Sequence, residues 1–262
     1  MTKIIIPARY ASTRYPGKPL VPLKGPDGAK SLIQRTWEVG ISVAPAADVF
    51  VATDDSRIAD VVAGFGGQVI LTDPACRNGT ERCADAIAQA DLSTDLVVNL
   101  QGDAPLTPPW FITDLIAAMH ADPAIDVATP VLRCDRATLA HFQEDRRHGR
   151  VGGTTAVMDA RGQGLYFSKE VIPHVGDQSF DRDADVPVFH HVGVYAYRPR
   201  ALAQYLAWPE GPLETLEGLE QLRFLENGAA LKCVTVQGKG RVFWELNNPA
   251  DVARIEQVLA TG

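Results

Sequence analysis

Short apolar runs and stretches of helical spacing alternate through the first half of the chain. Ile4–Ile6 is an unbroken β-branched run, which is typical of a strand buried on both faces. Similar runs predict further strands at Asp48–Thr53, Gln68–Thr72, Leu96–Leu100 and Val127–Leu132. Apolar spacing between these runs predicts helices that begin near Ser31, Ile58, Thr80 and Pro108. This alternation predicts an α/β fold with a doubly wound, mostly parallel sheet covered by helices on both faces.

The pattern changes from about residue 150. Short runs near Val157, at Leu165–Ser168 and at Val188–Tyr197 predict antiparallel strands, with an acidic surface loop at Asp177–Asp185. The remaining elements are predicted as helices at Pro199–Trp208 and Pro212–Glu226, a strand at Leu231–Val236 and a last helix from Pro249. No repeat or Pro/Gly/Ser linker divides the chain. We therefore expect one domain over residues 1–262, with about 150–200 as an antiparallel insertion.

The overall charge of the chain argues against polyanionic macromolecules and surfaces as binding partners. A net charge of −7 and a pI near 5.4 argue against broad binding of nucleic acid or of anionic membrane surfaces, which needs a positive surface. No apolar run reaches about 18 residues and no signal-peptide pattern precedes Ile4, so we expect a cytoplasmic protein without membrane insertion. The four cysteines contain no C-x-x-C pair, which favours reduced thiols over disulfides or a zinc site.

The loop after Ile4–Ile6 is locally basic, because it carries Arg9, Arg14 and Lys18 within ten residues. A solvated turn without a specific role is the plain alternative for three such cations. The loop leaves the carboxyl end of a predicted buried strand, where open α/β sheets bind their ligands. We therefore expect it to bind a small polyanion.

Two further loops follow predicted strands. Asp103 comes just after Leu96–Leu100, and a single carboxylate at a strand end suits Mg²⁺ that is also bound by substrate phosphates, although Asp103 alone fits a loop cap equally well. The segment Asn78–Arg82 opens a helix and is either an ordinary N-cap or an anion site. The chain lacks the glycine fingerprint of dinucleotide-binding folds and a Walker loop, which excludes the commonest nucleotide-binding classes.

Taken together, the motifs resemble one enzyme family over nearly the whole chain. They lie at Ile6–Leu20, Gly79–Arg82, Gln101–Asp103, Leu165–Ser168, His191–Tyr197 and Pro212–Arg223. In this order they are similar to the 3-deoxy-manno-octulosonate cytidylyltransferases, or CMP-Kdo synthetases. The resemblance implies a fold like that of nucleotide-diphospho-sugar transferases. It also implies an enzyme that joins CMP from CTP to the sugar acid, releases pyrophosphate and serves lipopolysaccharide biosynthesis.

The resemblance also implies roles for individual residues. The catalytic group would be Arg9, Lys18 and Asp103. Nucleotide contacts would come from Arg9, Arg14, Lys18, Gly79, Thr80, Arg82 and Gln101. The sugar acid would contact Gln101, Lys169, His191, Tyr195, Glu220 and Gln221. Mg²⁺ would be bound by Asp103 and Asn247, and the protein would be a homodimer that pairs through the inserted segment.

Without the resemblance, the late motifs have simpler interpretations. His191 in an apolar strand reads as a core histidine, and Glu214, Glu217 and Arg223 read as a solvated helix face with ion pairs one turn apart. These interpretations stay open at the level of the sequence.

The match to the family departs at three places. Asn247 stands where the family has an aspartate, which predicts weaker Mg²⁺ binding unless Glu245 or Asp251 compensates. Lys169 stands where the family has an arginine, and lysine lacks the bidentate fork that suits a carboxylate. The segment Val151–Ala156 also differs. These departures leave two other functions open: a cytidylyltransferase for a modified sugar acid, such as an amino-substituted one, and a non-catalytic nucleotide or sugar-acid binding protein.

Overall fold

The computed structural model describes residues 1–11, 15–151, 153–176, 178–241 and 243–261. The chain divides into two compact units. The first unit consists of Met1–Thr113, Ala196–Leu206 and Gly238–Gly262, and the second of Asp114–Tyr195 and Ala207–Gln237. The single domain with an insertion at about 150–200 stays a prediction.

The first half of the chain alternates strands and helices. Its elements are β1 (Thr2–Ala8), β2 (Pro22–Gly25), β3 (Gly28–Ser31), α1 (Leu32–Ile41), β4 (Val49–Thr53), α2 (Ser56–Gly64), β5 (Gln68–Leu71), α3 (Gly79–Gln89), β6 (Leu96–Leu100), α4 (Pro109–Ala121) and β7 (Val127–Arg133). In the first unit, β1 pairs in parallel with β4 and β6, and β4 pairs in parallel with β5. The strand order β5-β4-β1-β6 crosses over in the way expected of a doubly wound sheet.

The second half adds antiparallel strands. Its elements are α5 (Arg136–Arg147), β8 (Thr155–Met158), β9 (Gly164–Ser168), β10 (Phe189–His191), β11 (Val194–Tyr197), α6 (Pro199–Ala207), α7 (Pro212–Glu217), α8 (Leu222–Glu226), β12 (Lys232–Val236) and α9 (Asp251–Thr261). Within the second unit, β10 is antiparallel to β7 and β8, and β8 is antiparallel to β9. Strand β12 adds to β7 in parallel. The predicted α/β class with antiparallel strands in the second half is confirmed.

Burial explains why the apolar runs form strands. All five residues of β4 and all five of β6 are buried, as expected for parallel strands with both faces covered. Helix α1 begins where the sequence predicts, since the Ser31 side chain accepts a hydrogen bond from the backbone N–H of Gln34. Apolar runs and the Ser31 cap therefore determine where these strands and helix α1 begin, and the loops of the site start from such ends.

Several elements differ from the predictions. The helix expected over Pro212–Glu226 is two helices, because Gly218 adopts a left-handed conformation (φ 59°) and ends α7. The strand expected over Val188–Tyr197 is also two elements, β10 and β11. Helix α5 and the β2–β3 hairpin were not predicted, since α5 is mostly polar and each hairpin strand has only four residues.

In the predicted acidic loop, residues 183–185 form a short 3-10 turn, and Asp183 accepts a hydrogen bond from Arg136 at 2.9 Å. Asp177 lies outside the described residues. Across the part of the chain that the structure describes, no helix has the length and apolar character needed to cross a lipid bilayer.

Candidate functional site

The basic loop begins at the carboxyl end of β1. Arg9 follows β1 and is exposed. The loop closes at Gly17, whose backbone N–H donates to the Tyr10 carbonyl at 2.9 Å, and Lys18 begins the next turn. Closure places the chain positions of Arg9 and Lys18 at the same end of β1. Arg14, the third predicted cation, lies outside the described residues.

Tyr10 packs this loop against helix α2 through a cation–π contact with Arg57. The guanidinium carbon of Arg57 lies 3.3 Å from the centroid of the Tyr10 ring, and Asp55 accepts hydrogen bonds from the same guanidinium at 2.9 and 2.5 Å. On the loop side, a Cβ placed on Gly17 would come within 3.2 Å of the Tyr10 ring. Gly17 also has φ 71°, so both its conformation and its close approach to the ring favour glycine. These contacts hold both ends of the basic loop, at Tyr10 and at Gly17, against each other.

Lys18 and Asp103 meet across two loops. Lys18 Nζ lies 2.6 Å from Asp103 Oδ2, and their side chains are 14% and 25% exposed. The loop after β6 approaches β1 closely at Gly102. A side chain there would not fit, because a Cβ on Gly102 would lie only 2.6 Å from the Pro7 carbonyl oxygen. Two of the predicted catalytic residues are thus in direct contact. The pair presents a cation and a carboxylate, both partly accessible, at the carboxyl ends of adjacent parallel strands.

The third loop of the first unit carries Asn247. The backbone N–H of Leu246 donates to the Asp103 carbonyl at 2.8 Å, so Asn247 follows directly after a contact with the Asp103 loop. Below these loops is a shared apolar cluster. Its buried members are Leu23, Leu32, Leu246 and Ile255, and Tyr15, Val21, Leu106, Trp244, Val252 and Leu259 pack against them. The cluster connects the segments that carry Lys18, Asp103 and Asn247.

The start of α3 is the next predicted nucleotide contact. Asn78 caps the helix by accepting from the Glu81 backbone N–H at 2.9 Å. Thr80 is fully buried and its hydroxyl lies 2.8 Å from that of Tyr197. Arg82 is 3% exposed and donates to the Thr72 hydroxyl at 2.5 Å.

Arg82 also lies 3.3 Å from the Asp54 carboxylate. Both Thr80 and Arg82 therefore point into the first unit, where they join α3 to neighbouring segments. Their predicted contact with a nucleotide stays a prediction.

Gly79 brings two amide side chains to the helix start. A Cβ on Gly79 would lie 2.7 Å from Gln101 Nε2 and 3.1 Å from Asn99 Nδ2. Sequence reasoning predicted Gly79 and Gln101 but missed Asn99. Asn99 is fully buried, and neither atom of its amide has a hydrogen-bond partner among the described residues. Its signal in the sequence was a polar residue inside the otherwise apolar run Leu96–Leu100.

In the second unit, His191 is held between aromatic rings. Its ring centroid lies 5.1 Å from that of Phe167 and 5.5 Å from that of Tyr195. The Thr129 hydroxyl is 3.0 Å from His191 Nε2 and 2.8 Å from the Val194 carbonyl oxygen. Because a carbonyl can only accept, the hydroxyl donates to it and His191 Nε2 donates to the hydroxyl.

Burial, with a smaller contribution from the neighbouring His190, lowers the pKa of His191 from 6.5 to about 3. His191 is therefore neutral at pH 7. Both the core interpretation and the ligand interpretation of this histidine agree with its position.

Tyr195 and Gln221 form the other half of this cluster. The Tyr195 hydroxyl donates to Gln221 Oε1 at 3.0 Å. Gln221 is 1% exposed, and its Nε2 has no hydrogen-bond partner among the described residues. The structure therefore brings together three of the predicted sugar-acid residues, His191, Tyr195 and Gln221.

Lys169 contacts α7, and Glu220 lies in the turn that follows this helix. The Lys169 backbone N–H donates to Glu217 Oε2 at 2.9 Å, and the Ser168 hydroxyl donates to Glu217 Oε1 at 2.7 Å. The Lys169 ammonium lies 2.9 Å from where a Cβ on Gly218 would be. Glu220 is half-buried in the turn between α7 and α8. Gly218 thus both ends α7 and makes room for the Lys169 side chain.

The solvated helix face expected for Glu214, Glu217 and Arg223 is wrong. Arg223 donates to both carboxylate oxygens of Glu214, at 2.6 and 2.7 Å, and their side chains are 1% and 6% exposed. Because Gly218 ends α7, helix α8 returns beside it and the two charges meet inside the unit. Glu217 is half-buried and bonded to β9 instead of to a neighbour one turn away.

The donor set for a metal ion is small. Within the described ranges, no group of three or more His, Cys, Asp and Glu side chains is arranged to hold a metal ion. Asp103 carries one carboxylate, and Asn247, which follows the residue bonded to the Asp103 carbonyl, carries an amide oxygen. Mg²⁺ is usually bound by one or two carboxylates together with substrate phosphates and waters. The two residues fit a magnesium ion whose remaining ligands come from a phosphorylated substrate.

Comparison with known proteins gives consistent matches. The sequence profile of a family described as cytidylyltransferase matches residues 3–232. A 3-deoxy-manno-octulosonate cytidylyltransferase from Maricaulis maris is 42% identical over 98% of this chain and 96% of its own length. An 8-amino-3,8-dideoxy-manno-octulosonate cytidylyltransferase from a Shewanella species is 41% identical, over 98% of each chain.

The solved structure of a CMP:2-keto-3-deoxy-manno-octonic acid synthetase complexed with CTP is also similar. It superposes with a TM-score of 0.82 at 32% identity and covers 99% of this chain and 98% of its own. The likeness extends over both compact units.

Proposed function

We propose that this chain, which belongs to the cytidylyltransferase family, transfers CMP from CTP to 3-deoxy-manno-octulosonate with release of pyrophosphate. The family resemblance read from the sequence motifs is confirmed by the profile match over residues 3–232. The observation that supports the proposal best is the contact of Lys18 with Asp103 at 2.6 Å, since binding a metal-bound triphosphate needs both a cation and a carboxylate. The product would be an activated sugar acid for lipopolysaccharide biosynthesis.

The first unit would bind and polarise the nucleotide. The reaction is an in-line displacement between two anions, so the site must reduce the charge of the triphosphate and align the attacking oxygen. Arg9 and Lys18 supply positive charge at the end of β1. When phosphate oxygens compete for the Lys18 ammonium, the Asp103 carboxylate is released from its ion pair. Asp103 and Asn247 would then hold Mg²⁺, which when bound supplies further neutralisation of the phosphate charge.

The second unit would bind the sugar acid. The Gln221 amide nitrogen is a buried donor with no partner among the described residues, and the Tyr195 hydroxyl fixes its orientation by donating to the amide oxygen. A hydroxyl or carboxylate oxygen of the acceptor would satisfy that donor, which supports the predicted role of Gln221. Neutral His191 adds a polar edge without a charge. The Lys169 ammonium, which lies beside Gly218, would supply a cation for the sugar carboxylate.

The test is pyrophosphate release with CTP, Mg²⁺ and 3-deoxy-manno-octulosonate. We expect release that requires all three components and is slower when UTP replaces CTP. Omission of the sugar acid is the control for CTP hydrolysis. A folded protein that releases no pyrophosphate above this control would contradict the proposal.

A second acceptor class is favoured by two observations. Lys169 departs from the family arginine, and the Shewanella relative is named for an amino-substituted sugar acid. The measurement is kcat/KM for the 8-amino and the unmodified octulosonate with the same preparation. A clear preference for the unmodified compound would remove this second candidate.

We also propose a homodimer, which rests on the family resemblance, and the cytoplasmic location stays a prediction from the sequence. The dimer is supported by exposed leucines in the second unit: Leu165 on β9 is 60% exposed and Leu216 on α7 is 83% exposed. Light scattering of the wild type and of Leu216→Glu tests the contact. We expect the wild type to be dimeric and the variant to shift toward monomer, whereas a monomeric wild type would contradict the dimer.

A further inference from the structure

The carboxylate of Asp251 accepts several N–H groups of the loop that carries Asn247. Its Oδ1 accepts from the Trp244 indole at 3.0 Å. Its Oδ2 accepts from the backbone N–H of Asn247 at 2.9 Å and from that of Asn248 at 2.7 Å. Both oxygens are therefore occupied, and Oδ2 uses both of its lone pairs.

A simple explanation would be helix capping. Asp251 opens α9, its own N–H donates to the Asn248 carbonyl at 3.0 Å, and Pro249 lies between them. An acidic side chain that bonds back to a backbone N–H three residues earlier is a common device at helix starts. The bonds to Asn247 and to the Trp244 indole lie outside this device. They fix residues 244–248 as a whole, beyond what the helix end requires.

That segment is joined to the Asp103 loop. The Leu246 backbone N–H donates to the Asp103 carbonyl at 2.8 Å, and the Leu246 side chain is fully buried in the apolar cluster under the loops. Asn247 is therefore held on one side by the contact of Leu246 with Asp103 and on the other by Asp251. A change at Asp251 can therefore reach Asp103 through this segment.

We propose that Asp251 is a positioning residue that holds Asn247 beside Asp103, and that it is not a metal ligand in place of the family aspartate. The inference rests on the proposed function of this site. Turning the carboxylate toward a cation would leave three N–H donors of Trp244, Asn247 and Asn248 without their acceptor. The carboxylate charge missing at Asn247 is consequently not restored by Asp251.

The experiment compares Asp251→Ala and Asp251→Asn with Glu256→Gln in the same helix. Glu256 is a matched control, since its carboxylate also accepts a backbone N–H, that of Lys24 at 2.9 Å. Calorimetry measures CTP binding over a Mg²⁺ series, and nuclear magnetic resonance follows the Trp244 indole N–H, assigned with Trp244→Phe. Thermal unfolding reports folding, and pyrophosphate release reports turnover.

We expect Asp251→Ala to weaken the apparent Mg²⁺ affinity seen in CTP binding by about 10- to 100-fold and to shift the Trp244 indole resonance. Asp251→Asn keeps one acceptor oxygen, so this variant should fold even if Asp251→Ala does not. Its Trp244 indole resonance should shift by less than that of Asp251→Ala. Glu256→Gln should leave both readouts as in the wild type. The KM for the sugar acid should be unchanged in all three variants.

The outcomes separate the inference from the proposed function. If the Asp251 variants lower thermal stability while their Mg²⁺ dependence of CTP binding equals that of Glu256→Gln, Asp251 is only a helix cap and the inference is overturned. If the Asp251 variants weaken Mg²⁺-dependent CTP binding while the wild type turns over no sugar acid, the positioning role stands and the proposed function fails.

Discussion

At the residue scale, Lys18 is the cation on which the nucleotide half of the site depends. Its ammonium contacts Asp103 at 2.6 Å and its side chain is 14% exposed. Lys18→Ala should lower the rate of pyrophosphate release by about 10² to 10³-fold, equivalent to about 2.7–4 kcal/mol, because a preorganised charge that stabilises the reacting phosphate is removed. Exposed Lys24, changed to alanine, is the control for loss of one surface charge. A rate for Lys18→Ala equal to that of Lys24→Ala would contradict the role.

Asn247 tests the metal site at the same scale. Asn247→Asp adds a carboxylate next to the Asp103 loop, and Mg²⁺ prefers carboxylates to amides. We expect tighter Mg²⁺-dependent CTP binding by about tenfold, or about 1.4 kcal/mol, measured by calorimetry. Asn248→Asp adds the same charge one residue away, so equal effects of the two variants would indicate a general charge effect. A wild type that binds CTP tightly without turnover, with turnover restored by Asn247→Asp, would support the non-catalytic alternative.

At the scale of elements, the pair of Glu214 and Arg223 joins α7 to α8. Because both side chains are almost fully buried, Arg223→Ala would leave the Glu214 carboxylate without its partner. The free energy of unfolding should fall by about 3–5 kcal/mol, measured by urea denaturation. The exposed pair of Arg147 and Glu144 is the control, and Arg147→Ala should cost less than about 1 kcal/mol.

The double variant Glu214→Leu/Arg223→Met extends this test. Removing both charges should recover most of the stability lost in Arg223→Ala, since no unpaired charge remains buried. A double variant as unstable as the single one would show that packing, and not the unpaired carboxylate, causes the loss.

At the scale of the whole molecule, the adjacent histidines His190 and His191 make stability depend on pH. The pKa of His191 is lowered from 6.5 to about 3 and that of His190 to about 4, in both cases mainly by burial. The unfolded chain therefore binds more protons than the folded protein between these values. The stabilisation is fully present above pH 6.5 and is lost as pH falls toward 3.

His191→Gln isolates one of these contributions. Glutamine can still donate to Thr129 but does not titrate, so the variant should lose free energy of unfolding less steeply than the wild type as pH falls from 6.5. The difference between the two slopes can reach about 1.4 kcal/mol per pH unit. The measurement is urea denaturation of both proteins at a series of pH values. An equal dependence of the free energy of unfolding on pH in the two proteins would contradict neutral burial of His191.

The accuracy of the sequence predictions differs between the elements and the site. Strand β6 begins and ends at the predicted residues, because a short apolar run rich in valine and interrupted only by Asn99 is typical of a strand buried on both faces. The single helix expected over Pro212–Glu226 was wrong, since the effect of Gly218 depends on a conformation that helical spacing does not reveal. Family motifs indicated Lys18, Asp103 and Gln221. They did not indicate the buried amide of Asn99 or the bonds of Asp251, because burial and side-chain hydrogen bonding depend on the folded conformation.

The sequence by itself determined the order and type of most elements, the acidic character of the chain and the family to which it belongs, because apolar periodicity and motif residues are local properties. Tertiary structure alone decided that Lys18 meets Asp103, 85 positions away, and that the Leu246 backbone N–H bonds to the Asp103 carbonyl. It also decided that Glu214 and Arg223 form a buried pair. The physical reason is that strand register and packing of the shared apolar cluster fix which distant side chains touch, and neither is encoded in any single stretch of the chain.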